Sequence, residues 1–153
     1  MTEQVKDNMD KISVRMANEN DAERLFVLNE ELNGKDLNSV KDIIETIKNN
    51  KQEIIIVSEF KGLIVGFCCA QIIKSICYFN DNAEITELYV QELYRRKGIA
   101  SKLIKYMENH CIKEYGIKDF HLLSGGKNNS AQKLYESLGY KIKDRKLFIK
   151  GNY

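Results

Sequence analysis

Residues 88–101 limit most strictly what this chain can fold into. An apolar run ends there in a short polar turn, and a helical pattern begins on the far side with Gly98 at the join. Upstream, residues 83–90 carry Ile85, Leu88, Tyr89 and Val90, enough apolar and aromatic content for a strand. Downstream, Leu103, Tyr106, Met107, His110, Cys111 and Tyr115 recur at helical spacing, and Gly116 is a suitable stop. A helix start presents backbone N–H groups without intrahelical partners at the positive end of the helix dipole, so it attracts anions. Gly98 and Ala100 let an anion approach the backbone closely, and Arg95, Arg96 and Lys97 surround it with positive charge. The pattern Arg95-x-x-Gly98-x-Ala100 therefore suits a phosphate or pyrophosphate. Other phosphate and nucleophile motifs are missing from the sequence. It has no Gly-x-x-x-x-Gly-Lys-Ser/Thr loop, no Gly-x-Gly-x-x-Gly after a strand, and no Gly-x-Ser-x-Gly elbow.

A length of 153 residues predicts one domain, residues 1–153. The net charge of +2 gives no global field that would point to nucleic acid or a membrane surface. Nucleic-acid binding would rest on scattered Lys and Arg alone, with neither a recognition helix nor stacking aromatics to support it. The four cysteines, Cys68, Cys69, Cys77 and Cys111, make no Cys-x-x-Cys pair and read as reduced thiols, mostly core, in a cytoplasmic protein. Cys68 and Cys69 should point to opposite faces of one strand. His110 and His121 are not spaced as metal ligands and read as packing residues, so no metal is expected. The polar, charged start argues against a signal peptide, and no apolar run reaches the ~20 residues of a membrane span.

In chain order, residues 1–10 are polar and expected to be flexible. Ile12, Val14 and Met16 alternate as a first strand. Residues 18–21 offer caps for a helix carrying Leu25, Phe26, Leu28 and Leu32, which ends at Asn33-Gly34. Asn38-Ser39 caps a second helix with Val40, Ile43, Ile44 and Ile47 on one side. Residues 54–60 and 63–78 read as a β-hairpin around Lys61-Gly62, the second strand long or bulged. After the strand–turn–helix unit comes a strand at 120–124, a loop, a helix over 130–138 capped by Gly139, and a closing hairpin over 140–143 and 146–150. The fourth strand, third helix and fifth strand form a βαβ unit, so those two strands should run parallel.

The second motif is Asn128-x-x-Ala131-x-x-Leu134-Tyr135-x-x-x-Gly139-Tyr140. Ala131, Leu134 and Leu138 make its core stripe, and Tyr135 reads either as a packing residue or as a group facing the neighbouring strand ends. The two motifs, in this order and about thirty residues apart, resemble those of the GNAT acyltransferase superfamily, which uses acetyl-CoA. Arg95-Arg96-Lys97-Gly98-Ile99-Ala100 is similar to its pyrophosphate loop, and residues 128–140 to its Asn-to-Tyr helix. The resemblance is close over residues 83–140 and extends in element order over nearly the whole chain. It implies an α/β (α+β) fold with a mixed, largely antiparallel sheet of about seven strands, flanked by about four helices. The fourth and fifth strands would be parallel and splayed, with acetyl-CoA in the gap.

By the same resemblance, the backbone of Leu88 and Val90 would pair with the pantetheine arm. N–H groups of Arg96, Lys97, Gly98, Ile99, Ala100 and Ser101 would hold the pyrophosphate, with Arg95 or Arg96 near a phosphate. Asn128 would bond the pantetheine, Tyr135 would protonate the leaving thiolate, and an N–H near Leu88 or Tyr89 would hold the oxyanion. An alkylamine with a pKa near about 10.4 must lose a proton before it attacks a thioester. Glu84 and Glu87 are the candidate bases. Strict alternation puts them on opposite faces unless a bulge intervenes, and Glu84 is favoured because family members with an Ala-Glu-Ile/Val strand place a base there. Acids of the segment between the first two helices, Glu30, Glu31 and Asp36, would favour a cationic amine such as a polyamine or aminosugar. The alternatives are a protein or peptide amine as acceptor, and a non-catalytic acyl-CoA-binding module. A homodimer is compatible with all of them.

Overall fold

The computed structural model describes residues 11–151. The segment expected to be flexible, residues 1–10, lies outside them. The chain divides into two compact units at Leu123/Ser124.

The first unit holds one five-stranded sheet in the order β1-β2-β3-β4-β5. Strand β1 (Ile12–Met16) leads through a short 3-10 turn into helix α1 (Ala22–Asn33), followed by α2 (Val40–Asn49), β2 (Glu53–Phe60), β3 (Leu63–Ile73), β4 (Asn82–Val90), a second 3-10 turn, α3 (Ile99–Tyr115) and β5 (Asp119–Leu122). Strands β1 to β4 pair antiparallel, and β4 pairs parallel with β5 after the α3 crossover. Local signals set these elements. Ser39 and Asp42 form a reciprocal capping box at the start of α2. Lys61 and Gly62, both at positive φ (52° and 81°), make the tight β2–β3 turn. The start of α1 is tied to β1 through the buried Asp21. Burial alone would raise its pKa, but Arg15 Nη1 and Nη2 (2.7 and 2.9 Å) and the Asn18 N–H (2.7 Å) hold the carboxyl below its ordinary value.

Each face of the sheet has its own helical layer. Leu25 and Leu28 of α1 and Ile43 of α2 pack with Val57, Phe67 and Cys69. On the other face α3 lies across β1 to β4 and buries Ile99, Leu103, Ile104, Met107 and Cys111, the i, i+4, i+5, i+8, i+12 stripe of an amphipathic helix. Cys68 and Cys69 fall on opposite faces as expected, since Cys69 packs with the α1/α2 cluster and Cys68 is influenced by Cys111 of α3. Gly66 permits the close approach of β3 to β4. A Cβ there would lie 2.6 Å from the Tyr89 carbonyl oxygen and 3.0 Å from Ser58 Oγ.

The second unit contains helix α4 (Asn129–Ser137). The Asn128 side chain caps it by accepting from the Ala131 N–H (3.2 Å). Tyr135 meets Tyr140 edge to face at 6.2 Å.

Fold class, parallel β4–β5 pair and four α-helices follow expectation, but the described residues form five strands and not seven. The closing hairpin is absent, because residues 140–150 carry no strand. Alternating side chains suit a strand, yet a strand forms only where a neighbour takes up its N–H and C=O groups, and local pattern does not supply one. For the same reason β3 stops at Ile73 and not at Tyr78. Its partners run out at Glu53, opposite Gln71, and at Asn82, opposite Ile73.

Gly66→Ala should destabilise the fold by about 1–3 kcal/mol, since the new methyl meets backbone that cannot yield without parting β3 from β4. A thermal melt indistinguishable from wild type would show that the strands are not held that close.

Candidate functional site

The parallel β4–β5 ladder has only four rungs, Asn82/Asp119, Ala83/Phe120, Glu84/His121 and Ile85/Leu122. Strand β4 then continues to Val90, and among the described residues no strand pairs with residues 86–90 on the β5 side. Strand β4 is therefore an internal strand at its start and an open edge at its end. Eight residues, 91–98, separate Val90 from α3. Arg96 (φ 62°) and Gly98 (φ 74°) both adopt the left-handed conformation that swings the chain into the helix. No side chain caps α3 at Gly98, so the N–H groups of Ile99, Ala100 and Ser101 point out of the helix start. The open strand edge and the turn into α3 thus follow each other directly.

The basic side chains of the turn are partly engaged. Arg95 bends back, its Nε donating to the Val90 carbonyl (2.8 Å) and its guanidinium lying 5.6 Å from the centre of the Tyr89 ring. Lys97 Nζ donates to the Leu93 carbonyl (3.0 Å) and sits over Tyr94. Arg96 is exposed.

Register decides the placement of the acids. Opposite β3, Cys69 faces Glu87 while its neighbour Ala70 faces Ile85, which leaves Thr86 as an extra residue in β4. Gln71 faces Glu84 on one side and Glu53 on the other. Cys69 and Gln71, two apart on one strand, share a face. Glu53, Glu84, Glu87 and Tyr89 therefore all stand on the α1/α2 face, and the bulge cancels the separation that strict alternation gives Glu84 and Glu87. Burial raises the pKa of Glu87 from its ordinary value. Glu53 is pushed up by burial and then by the charge of Glu87, against a hydrogen bond from Gln71. Glu84 Oε2 lies 3.8 Å from His121 Nε2. His121 is thus an exposed neighbour of a site acid and not a packing residue.

The acids of the α1–α2 segment part company. Glu30 and Glu31 belong to the last turns of α1, whereas Asp36 is exposed in the loop at φ 62°. Glu31 accepts from the Tyr89 hydroxyl (2.9 Å) and from Gln91 Nε2 (3.0 Å), which joins the helix to the end of β4. Asn128 and Tyr135 stand at the start and on the body of α4 in the second unit. Sequence reasoning missed Glu53, Arg24 and Gln91, because each acquires its neighbours only through pairing or packing with distant residues. A hollow lined by Tyr78, Phe79, Asn80, Asn82 and Asp119 lies at the opposite end of β4 from the open edge.

A family described as the acetyltransferase (GNAT) domain matches residues 51–142, and the chain belongs to the GNAT acetyltransferase family. No curated protein matches the sequence. Among solved structures, the aminoglycoside acetyltransferase meta-AAC0020 from an uncultured soil metagenomic sample, in complex with trehalose, superposes with TM-score 0.80 at 17% identity, over 94% of this chain and 97% of its own. AAC(6')-Iy, with a CoA-S-monomethyl-acetylneamine bisubstrate analogue, gives 0.81 at 19% identity over 93% and 99%. The ribosomal-protein-alanine N-acetyltransferase of Brucella melitensis biovar Abortus 2308 gives 0.77 at 16% over 92% and 99%. At these identities the likeness is one of fold.

The thiols take no visible part in this arrangement. Cys68, Cys69 and Cys111 are buried and Cys77 is exposed. Burial pushes the Cys68 and Cys69 thiols up, and moves Cys111 to about 11 with help from Glu108. One thiol should label rapidly in the native protein and all four only in denaturant. Rapid native labelling of a second thiol would contradict the burial described.

Proposed function

We propose that the protein moves an acetyl group from acetyl-CoA directly to a primary amine of a small cationic molecule, of polyamine or aminosugar type. The observation that carries this reading is the Thr86 bulge, which turns Glu87 to the same face as Glu84 and Glu53 at the point where β4 becomes an open edge. The aminoglycoside acetyltransferases among the structural neighbours support an acceptor of that type.

The open edge fits the donor. Backbone groups of Leu88 and Val90 would meet the pantetheine amides, although the Val90 carbonyl already accepts from Arg95 and has one lone pair left. The α3 start would hold the pyrophosphate with the N–H groups of Ile99, Ala100 and Ser101, and we assign the exposed Arg96, in preference to Arg95, to a phosphate. Asn128 uses its side-chain oxygen as a helix cap, so its NH2 group is the end that would bond a pantetheine carbonyl. Glu30 and Asp36 add negative charge on the acceptor side.

Glu87 is our choice of base. It stands beyond the last β5 rung, and burial raises its pKa towards that of a competent general base, whereas Glu84 stands within the paired section beside His121. Glu87, directly or through a water, takes the ammonium proton. The neutral amine attacks the thioester carbonyl, and an N–H near Leu88 or Tyr89 stabilises the oxyanion. As the C–S bond breaks, Tyr135 would give its phenolic proton to the thiolate, and the extra proton on the attacking nitrogen would pass to the tyrosinate, leaving a neutral amide, free thiol and neutral tyrosine, with the first ammonium proton on Glu87.

Release of free thiol from acetyl-CoA, measured over a panel of polyamines, aminosugars and peptides, tests the reading. At neutral pH, Glu87→Gln should lower kcat/KM by about 10²–10⁴-fold and Glu84→Gln far less, and Tyr135→Phe should lower kcat on the same scale with CoA affinity nearly unchanged. A base must be ionised to act, and the pKa of Glu87 is raised, so wild-type kcat/KM should fall with decreasing pH through a value above the glutamate reference of about 4.3. A Glu87→Gln enzyme within threefold of wild type would remove Glu87 from the mechanism, and saturation by peptides alone would overturn the acceptor class.

A further inference from the structure

Helix α1 carries Arg24 and Glu31 seven residues apart, two turns along one stripe. Both reach the exit of β4. Arg24 Nε donates to the Ile64 carbonyl of β3 (2.8 Å), and Arg24 Nη2 donates to Gln91 Oε1 (2.9 Å). Gln91 Nε2 donates to Glu31 Oε1 (3.0 Å), and the Tyr89 hydroxyl donates to Glu31 Oε2 (2.9 Å). The Gln91 backbone N–H bonds the Val65 carbonyl (2.8 Å). Arg95 closes the set from the other side through Val90 and the Tyr89 ring. Each of these bonds sets a donor against an acceptor, and turning the Gln91 amide over would set NH2 against guanidinium and oxygen against carboxylate. Only one amide orientation satisfies the chain.

We propose that Glu31 is a positioning residue: by gripping Tyr89 and Gln91 it fixes the passage from β4 into the Arg95–Gly98 turn, and so aligns the strand edge on which the donor lies, instead of meeting the acceptor's charge. This rests on the proposed function only for what occupies that edge. Three features support it. Both carboxylate oxygens of Glu31 already hold a donor. The cluster also contains the cationic Arg24 and Arg95, which offset the attraction Glu31 would offer a cationic amine. Tyr89 and Gln91 bracket Val90, the last residue of the open edge, so a carboxylate held by both acts on that edge from the acceptor-side helix. The Tyr89 hydroxyl stays a donor at neutral pH, its pKa raised by burial and then by Glu31.

The test is an amide swap. E31Q keeps an oxygen for Tyr89 but turns NH2 towards the NH2 of Gln91, breaking that link. The double variant E31Q/Q91E reverses the bond, because the amide introduced at 31 donates to the carboxylate introduced at 91, which also accepts from Arg24. Hydrogen exchange of residues 86–95 is read without cofactor, and steady-state kinetics are read with acetyl-CoA and a saturating amine. E31Q should speed exchange across that segment and raise the acetyl-CoA KM about tenfold, the scale of one lost bond to a charged group, with the acceptor KM within about twofold of wild type. E31Q/Q91E should restore both. The inference is overturned if exchange in E31Q matches wild type, or if only the acceptor KM rises and the double variant fails to restore it. A wild type that binds no acetyl-CoA would sink the proposed function instead, and the exchange measurement alone would then decide the clamp.

Discussion

Four rungs hold β4 to β5, and the rest of the site depends on their ending where they do. On its β3 side β4 is paired from Asn82 to Val90 except at the Thr86 bulge. On the other side, among the described residues, no strand pairs with residues 86–90, while Val90 is buried. Backbone polar groups in such a place need a partner, and an extended ligand with amides of its own is a better match than water. The same strand end runs through a short turn into the start of α3, where further N–H groups collect. In the proposed reading this one stretch of backbone would offer an edge for amides and then N–H groups for phosphate, the order in which CoA carries them.

The Thr86 bulge adds chemistry to that scaffold. A regular strand would give one face Glu84 and the other Glu87, and one of the two would point at α3. One inserted residue turns both to the α1/α2 face, with Glu53 across β3. The acids then differ by surroundings and not by side. Glu84 has His121 beside it, while Glu87 is half-buried and harder to ionise.

What the sequence made legible was local. Gly98 and Gly116 bound α3, Ser39 caps α2, and Lys61-Gly62 turns the hairpin, because each signal acts within a few residues of its effect. The parallel β4–β5 pair also followed, since a strand–helix–strand unit leaves few arrangements. Pairing between distant segments was hidden. The bulge exists only in the register against β3. Glu31 meets a tyrosine 58 residues away, so three acids that read alike in one segment have unlike fates. His121 read as packing, yet it stands exposed on β5, the edge strand of the described sheet. The closing hairpin had the alternation of a strand without the partner that makes one.

The central claim is that the open edge of β4 and the start of α3 together receive CoA. Titration of isotopically labelled protein with CoA, followed by backbone amide NMR, tests it most directly. The account predicts that the largest shifts fall on residues 86–90 and on Gly98, Ile99, Ala100 and Ser101, saturating together. Shifts concentrated instead around Tyr78, Phe79 and Asp119, at the opposite end of the strand, with residues 86–101 unmoved, would contradict it.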